Sequence, residues 1–325
     1  MKKLLWKEWI YGKWLMFLVT FILLISNSQM FAEYIDNLRC SVRTSYGYID
    51  YSFVHYFSIS GFYAYISILL IIFITFVMGF AENLNNQQEL ISTMPFSKKK
   101  LIISKWLGIV ICFMIPLIIN FIVLNIMYFV NYDKMRIYNN YTEFLMWMIL
   151  SIFTYIFVIT FVMFVDLFFG NKLAGAFLNG LVLLMWVVGK ELVAGFLNIY
   201  HINIVFGGPI GELYSLPYYN TVHGHNPIYK IFILILFTIL LFILMVKIHD
   251  LAPIENIGNI SIYPKISSVF IIFVSVTFTL LITDIVSESF WGKNASIVIT
   301  IFTIACFIIL YLVIGKIVKY VDGEV

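Results

Sequence analysis

The chain has 325 residues, of which 62% are hydrophobic and 11% charged, with a formal net charge of +3 and a mean hydropathy of +0.99. Soluble domains are roughly 45–50% apolar and about 25% charged, and a water-soluble fold of this size has no interior large enough to hide the excess. The composition excludes a soluble globular protein, and the small net charge argues against a nucleic-acid partner.

A helix needs about 20 apolar residues to cross the hydrocarbon core. Residues 1–13 are polar-apolar mixed and carry Lys2, Lys3, Lys7, Glu8 and Lys13. Segments near spanning length and free of Asp, Glu, Lys and Arg follow at 14–32, 57–81, 106–132, 144–165, 173–189, 231–246, 266–283 and 295–315. The fifth to seventh are the shortest. The first does not end in a small-x-small cleavage site, so it reads as a retained helix rather than a signal peptide. The expected fold is all-α: a polytopic membrane protein of about eight transmembrane helices. With the N-terminus in the cytoplasm, 13 of the 20 Lys and Arg residues fall on the inner side. This matches the positive-inside bias, and an even number of crossings returns the C-terminus to the cytoplasm. Trp6, Trp9, Trp14, Trp106, Trp147 and Trp291 lie near predicted span ends and read as interfacial rings.

The stretch between the second and third segments, AENLNNQQELISTMPFSKKKLIISKW, departs from this plan. Residues 82–93 lack Gly and Pro and read as a short polar helix. Pro95 disfavours helix at Met94 and ends it. Ser97 is then placed to cap the third span, which starts with Lys98, Lys99 and Lys100. By themselves these lysines suit anionic headgroups, at about 1 kcal/mol each.

Together, the acidic residue, the Met-Pro-Phe-Ser turn and the basic cluster resemble the first intracellular loop of the permease subunits of type-2 ABC exporters. The matching residues are Glu89, Leu90, Ser92, Pro95, Phe96, Ser97 and Lys98. LLWKEW, with Lys7 and Glu8, is similar to that family's interfacial connecting helix. Length, this start and the span plan also resemble permeases of low-GC Gram-positive bacteria, including a Bacillus Ytr-type pair linked to acetoin utilisation. The resemblance implies a cytoplasmic interfacial helix over 1–13, a six-span core over 14–250 with a coupling loop at 82–105, and an additional two-span hairpin over 251–325. It also implies a plasma-membrane location, a separate cytoplasmic ABC ATPase docked on the loop, and a second permease copy or paralogue. ATP would be bound by the partner, and this chain needs no cofactor of its own.

Catalytic motifs are missing from the sequence. No G-x-x-x-x-G-K-[ST], LSGGQ or HExxH occurs, and the five histidines are scattered, so neither a catalytic nor a metal site is expected. His223 and His225 read as a solvated turn. Cys40, Cys112 and Cys306 form no CxxC pair, and the last two lie within apolar runs. Intramembrane ionisable residues are weighed individually because burial in lipid is costly. Asp166 reads as an inner-interface residue. Lys190 and Glu191 mark either a path residue pair or an outer interface. Gly208, Pro209 and Glu212 mark either a re-entrant gate or an ordinary turn. Asn120 and Asn125 read as residues that hydrogen-bond across helices. The leading expectation is an exporter permease. Alternatives from other classes are an ion-coupled secondary transporter, which would require embedded carboxylates or paired broken helices, a membrane-embedded enzyme, and a non-transporting scaffold or sensor subunit.

Overall fold

The computed structural model describes residues 2–41, 62–84, 97–136, 141–169, 171, 173–183, 227–251, 264–287 and 295–321. Every element among them is an α-helix: α1 (Lys2–Ser41), α2 (Phe62–Leu84), α3 (Lys98–Val130), α4 (Tyr132–Met135), α5 (Tyr141–Asp166), α6 (Leu173–Leu183), α7 (Pro227–Leu251), α8 (Pro264–Ser287) and α9 (Ala295–Val321). Each of the eight predicted apolar segments carries one of these helices. Five stretches are long and apolar enough to cross a membrane: Lys2–Ile35, Lys98–Val130, Tyr141–Asp166, Ile228–Asp250 and Val298–Lys319. Shorter apolar helices at Ile66–Gly79, Leu173–Leu183 and Ser267–Thr283 occupy the other three segments. The chain is an all-helical, multi-pass membrane protein.

Local chemistry sets several boundaries. Pro227 and Pro264 open α7 and α8, where a missing N–H and a fixed φ suit the first helical turn. Ser97 precedes α3 in extended conformation (φ −68°, ψ 142°), and its carbonyl accepts the first helical bonds from the N–H of Lys100 (2.9 Å) and Leu101 (3.3 Å). Its position agrees with the sequence reading, but its hydroxyl makes no capping bond. Asn131 ends α3, donating its side-chain amide to the Met127 carbonyl at 3.0 Å.

The first compact unit comprises Met1–Phe164 and Leu216–Asp250. Its α1 is one continuous helix of 40 residues, uninterrupted at residue 13. A single stripe of α1 is buried, running from Leu4 through Glu8, Gly12, Leu15, Val19 and Leu23 to Tyr34 in steps that average near one helical turn. Trp6, Trp14, Phe17 and Phe21 face away from it, all more than half exposed. Lipid is the natural neighbour of that outward face.

Helices α1 and α3 run parallel, with Glu8 beside Gly108 and Gly12 beside Cys112. Helix α5 runs antiparallel to α3. Trp106 meets Thr160, Phe113 meets Tyr155 and Phe121 meets Trp147 along the pair. Tyr128 stacks on Phe144 (5.1 Å between centroids) at the far end. Asn125 links this pair: its Oδ1 accepts from the Tyr141 hydroxyl (3.1 Å) and its Nδ2 reaches Met148 Sδ (3.3 Å). That interhelical role is the one its sequence position suggests.

The second unit comprises Val165–Ser215 and Leu251–Val325. Asn171 caps α6, its Oδ1 accepting from the N–H of Leu173 at 2.9 Å and of Ala174 at 3.4 Å. The Asn179 amide donates to Asp166 Oδ1 at 2.9 Å and closes the turn between α5 and α6. Asp166 is thus the anchor of a helix–turn–helix. Phe169 sets its ring edge-on against Phe270 of α8 at 5.5 Å, and α8 pairs with α9 through Thr283 and Thr303 hydroxyls 3.2 Å apart.

Candidate partner-coupling site

Helix α3 has 33 residues, about 50 Å at 1.5 Å per residue, against a hydrocarbon core of about 30 Å. Its first two turns, which hold Lys98, Lys99, Lys100 and Lys105, therefore extend past the apolar layer. No acidic residue lies in the first turn of α3. Cations at a helix N-terminus oppose the macrodipole, so the lysines weaken their own helix slightly. Within the chain, Lys99 is offset by Asp250 at the end of α7.

Four helices hold this basic end. Gly108 lets α1 approach so closely that a Cβ there would lie 2.8 Å from Glu8 Cβ and 3.4 Å from Met78 Cε of α2. One turn further on, a Cβ at Gly12 would collide with Cys112 Sγ. Close approach through small residues is how helices associate where lipid offers no hydrophobic drive. The Trp106 indole N–H donates to Thr160 Oγ1 of α5 at 3.0 Å, while its ring lies 4.8 Å from that of Phe242 of α7. Lys99 Nζ is 3.5 Å from Asp250 Oδ2 at the end of α7. That pair is about half exposed and weak by itself, yet it joins the same two helices as the Trp106–Phe242 contact.

The predicted site residues are distributed as follows. Ser97 is exposed and Lys98 half-buried at the start of α3. Lys7 is half-buried on α1, whereas Glu8 is 5% exposed and turned onto α3 at Gly108. Glu8 is therefore part of the helix–helix seam rather than of an outward face. Glu89, Leu90, Ser92, Pro95 and Phe96 lie outside the described residues, as do Lys190, Glu191, Gly208, Pro209 and Glu212.

Two tryptophans depart from their reading as membrane-interface rings. Trp106 is bonded inward to α5, and Trp147 is buried against Phe121 and Phe144. Trp6, Trp9 and Trp14 are exposed, as interfacial rings are. Sequence reasoning missed Gly12, Gly108 and Asp250, while Cys112, expected within an apolar run, is packed in the α1–α3 seam. The available signal was glycine inside a helical pattern, which usually has a packing reason.

No known protein family, curated protein or solved structure matches the chain.

Proposed function

We propose that this chain is the membrane-spanning permease subunit of an ATP-driven ABC transporter, an exporter by its resemblance. A cytoplasmic ATPase docks on the loop that ends at Ser97, and a second permease copy or paralogue completes the path. The plasma membrane is its location, with eight crossings and both termini inside. The observation that carries this reading is the construction of α3. The helix starts at Lys98, directly after the proposed docking segment in the sequence, and its first turns are fastened to α1, α2, α5 and α7. A push on the start of α3 is then delivered to four helices at once.

In this mechanism ATP binding closes the ATPase pair, and the loop at 82–105 follows the closing surface. Helix α3 moves as a lever, carrying α1 through the Gly108–Glu8 seam and α7 through Trp106. Binding energy of ATP biases the equilibrium between two arrangements of the bundle. Residues of the ATPase perform the hydrolysis, and this chain supplies the moving wall.

The test is a mild-detergent pull-down of the full chain from its native cells, followed by ATPase activity of the eluate. Glu89→Lys and Pro95→Ala are run beside the wild type. A co-purifying ATPase that is lost or uncoupled in these variants supports the reading. Absence of any ATPase, with both variants behaving as wild type, refutes it and leaves the lysines as membrane anchors of a scaffold.

A further inference from the structure

Between the last turns of α3 and the first turns of α5 runs an open groove of about 740 Å³, within the size range of small-ligand pockets. Ile122, Ile126, Phe129 and Val130 of α3 form one wall, all more than half exposed, and Tyr141 and Leu145 of α5 form the other. Asn125 bridges the two walls. Its amide protons are engaged by the Phe121 carbonyl at 2.8 Å and Met148 Sδ at 3.3 Å, and its Oδ1 takes the Tyr141 proton at 3.1 Å. The bridge therefore holds the walls in place and has no proton left to give. Such a groove suits an apolar occupant rather than one held by hydrogen bonds.

Depth and charge narrow the choice. From Ile122 to Val130 the groove follows α3 for about 12 Å, close to the roughly 15 Å that one leaflet contributes to the hydrocarbon core. Its end at Val130 lies among tyrosines, with the Tyr128 ring 6.3 Å from that of Tyr132 and 5.3 Å from that of Tyr141, a clustering that marks headgroup level. Asp133, Lys134 and Arg136 follow within six residues of Val130, and all three are exposed. That is about 9 Å at helical rise. None of the three makes an ion pair among the described residues. Two cations against one carboxylate leave the mouth positive. Glu143 does not cancel this, because it lies roughly 160° round α5 from Tyr141 and Leu145.

We propose that this groove is a binding site for a singly anionic phospholipid of the leaflet opposite Lys98–Lys100, with one acyl chain laid along Ile122–Val130 and the phosphate at Lys134 and Arg136. The apolar walls select the chain and the cations select the headgroup. Asp133 repels a second negative charge, which is why the headgroup carries one and not two. An apolar solute would fill the groove and leave the cations unused. The site does not depend on the permease reading.

The experiment uses the full chain reconstituted in phosphatidylcholine vesicles. A trace phospholipid carries a photoactivatable diazirine on one acyl chain, and its headgroup is either phosphatidylglycerol or phosphatidylcholine. After irradiation the labelled peptides are mapped. Residues 301–309 of α9, where Ile301, Ile304 and Ile308 are more than half exposed, serve as the reference for unselective lipid contact. Relative to that reference, the phosphatidylglycerol probe is expected to label residues 122–130 and 141–145 about 5-fold more than the phosphatidylcholine probe, the worth of one net cation near the surface. Lys134→Gln combined with Arg136→Gln should abolish the preference. Leu145→Trp should fill the groove and lower its labelling by both probes, and unchanged labelling of α9 checks that each variant is folded. In the wild type, groove labelling no stronger than that of α9, or equal labelling by the two headgroups, overturns the proposal. So does a headgroup preference that survives the double charge variant.

Discussion

Substituting Gly12 by alanine tests the seam between α1 and α3 at a single atom. The new Cβ falls on Cys112 Sγ, while the next nearest atoms, Cys112 Cβ at 3.8 Å and Met78 Cε at 4.0 Å, are at ordinary contact distance. Cys112 is 1% exposed and has little room to swing aside. Overpacking costs about 1–3 kcal/mol, and a Cβ that falls on a buried sulfur takes the upper part of that range, about 2–3 kcal/mol, of which the better helix propensity of alanine offsets about 1 kcal/mol. The net loss is about 1–2 kcal/mol, a fall of roughly 2–8 °C in melting temperature for a chain of this size class. Cys112→Ala alone leaves a small void and costs about 1 kcal/mol. In the double variant the two Cβ atoms meet at van der Waals distance, the void is filled and the propensity gain remains. Its stability should equal or exceed that of the wild type, giving a favourable coupling of about 2–3 kcal/mol. The assay is thermal unfolding of the detergent-purified chain, followed by loss of the monodisperse species on size exclusion. A Gly12→Ala protein that melts at or above the wild type, or a Cys112→Ala change that fails to rescue it, would refute the parallel seam.

Trp106→Phe should retain the ring contact with Phe242 and lose only the bond to Thr160, for about 0.6–1.5 kcal/mol. Trp106→Ala should lose about 3–5 kcal/mol by the same unfolding measurement. Lys99→Ala and Asp250→Ala should each change stability by less than about 1 kcal/mol, with a difference from wild type that shrinks as salt is raised. The charge-swapped double variant should return to wild type. In the second unit, a Cβ at Gly175 would lie 2.7 Å from Asp166 Oδ1. Gly175→Ala is therefore expected to destabilise by about 1–3 kcal/mol, and Asp166→Ala to relieve that clash while losing the Asn179 bond, which protease sensitivity of the α5–α6 turn would report.

The apolar helices were legible in the sequence because crossing a bilayer demands length and apolarity, and both can be counted; five of the eight segments carry helices long enough to cross. Which face of each span points inward was not. In water a helix shows its buried stripe by contrast with a polar surface, whereas here Trp14, Phe17 and Phe21 face out while Val19 and Leu23 face in. Both faces are apolar, so periodicity carries little information, and the seam of α1 is marked mainly by its exceptions, Glu8, Gly12 and Ser26. Glu8 illustrates the difficulty. Its neighbours Lys7 and Trp9 made it part of a surface motif, and only the approach of Gly108 gives it an inward role. Trp106 misled in the same way. A ring at a span end satisfies its N–H equally well in headgroups or on a threonine of the next helix, and residue type does not distinguish them.

The parallel seam also has a consequence for biosynthesis. Gly12 and Glu8 are translated about a hundred residues before Cys112 and Gly108, a delay of about 5–20 s at ribosomal speed. During that interval α1 has only α2 as a companion, and its Glu8 carboxylate and Gly12 notch await α3. Two-stage assembly, insertion first and helix association second, is therefore enforced by the order of the gene. The newborn first helix has to be held until its companion emerges.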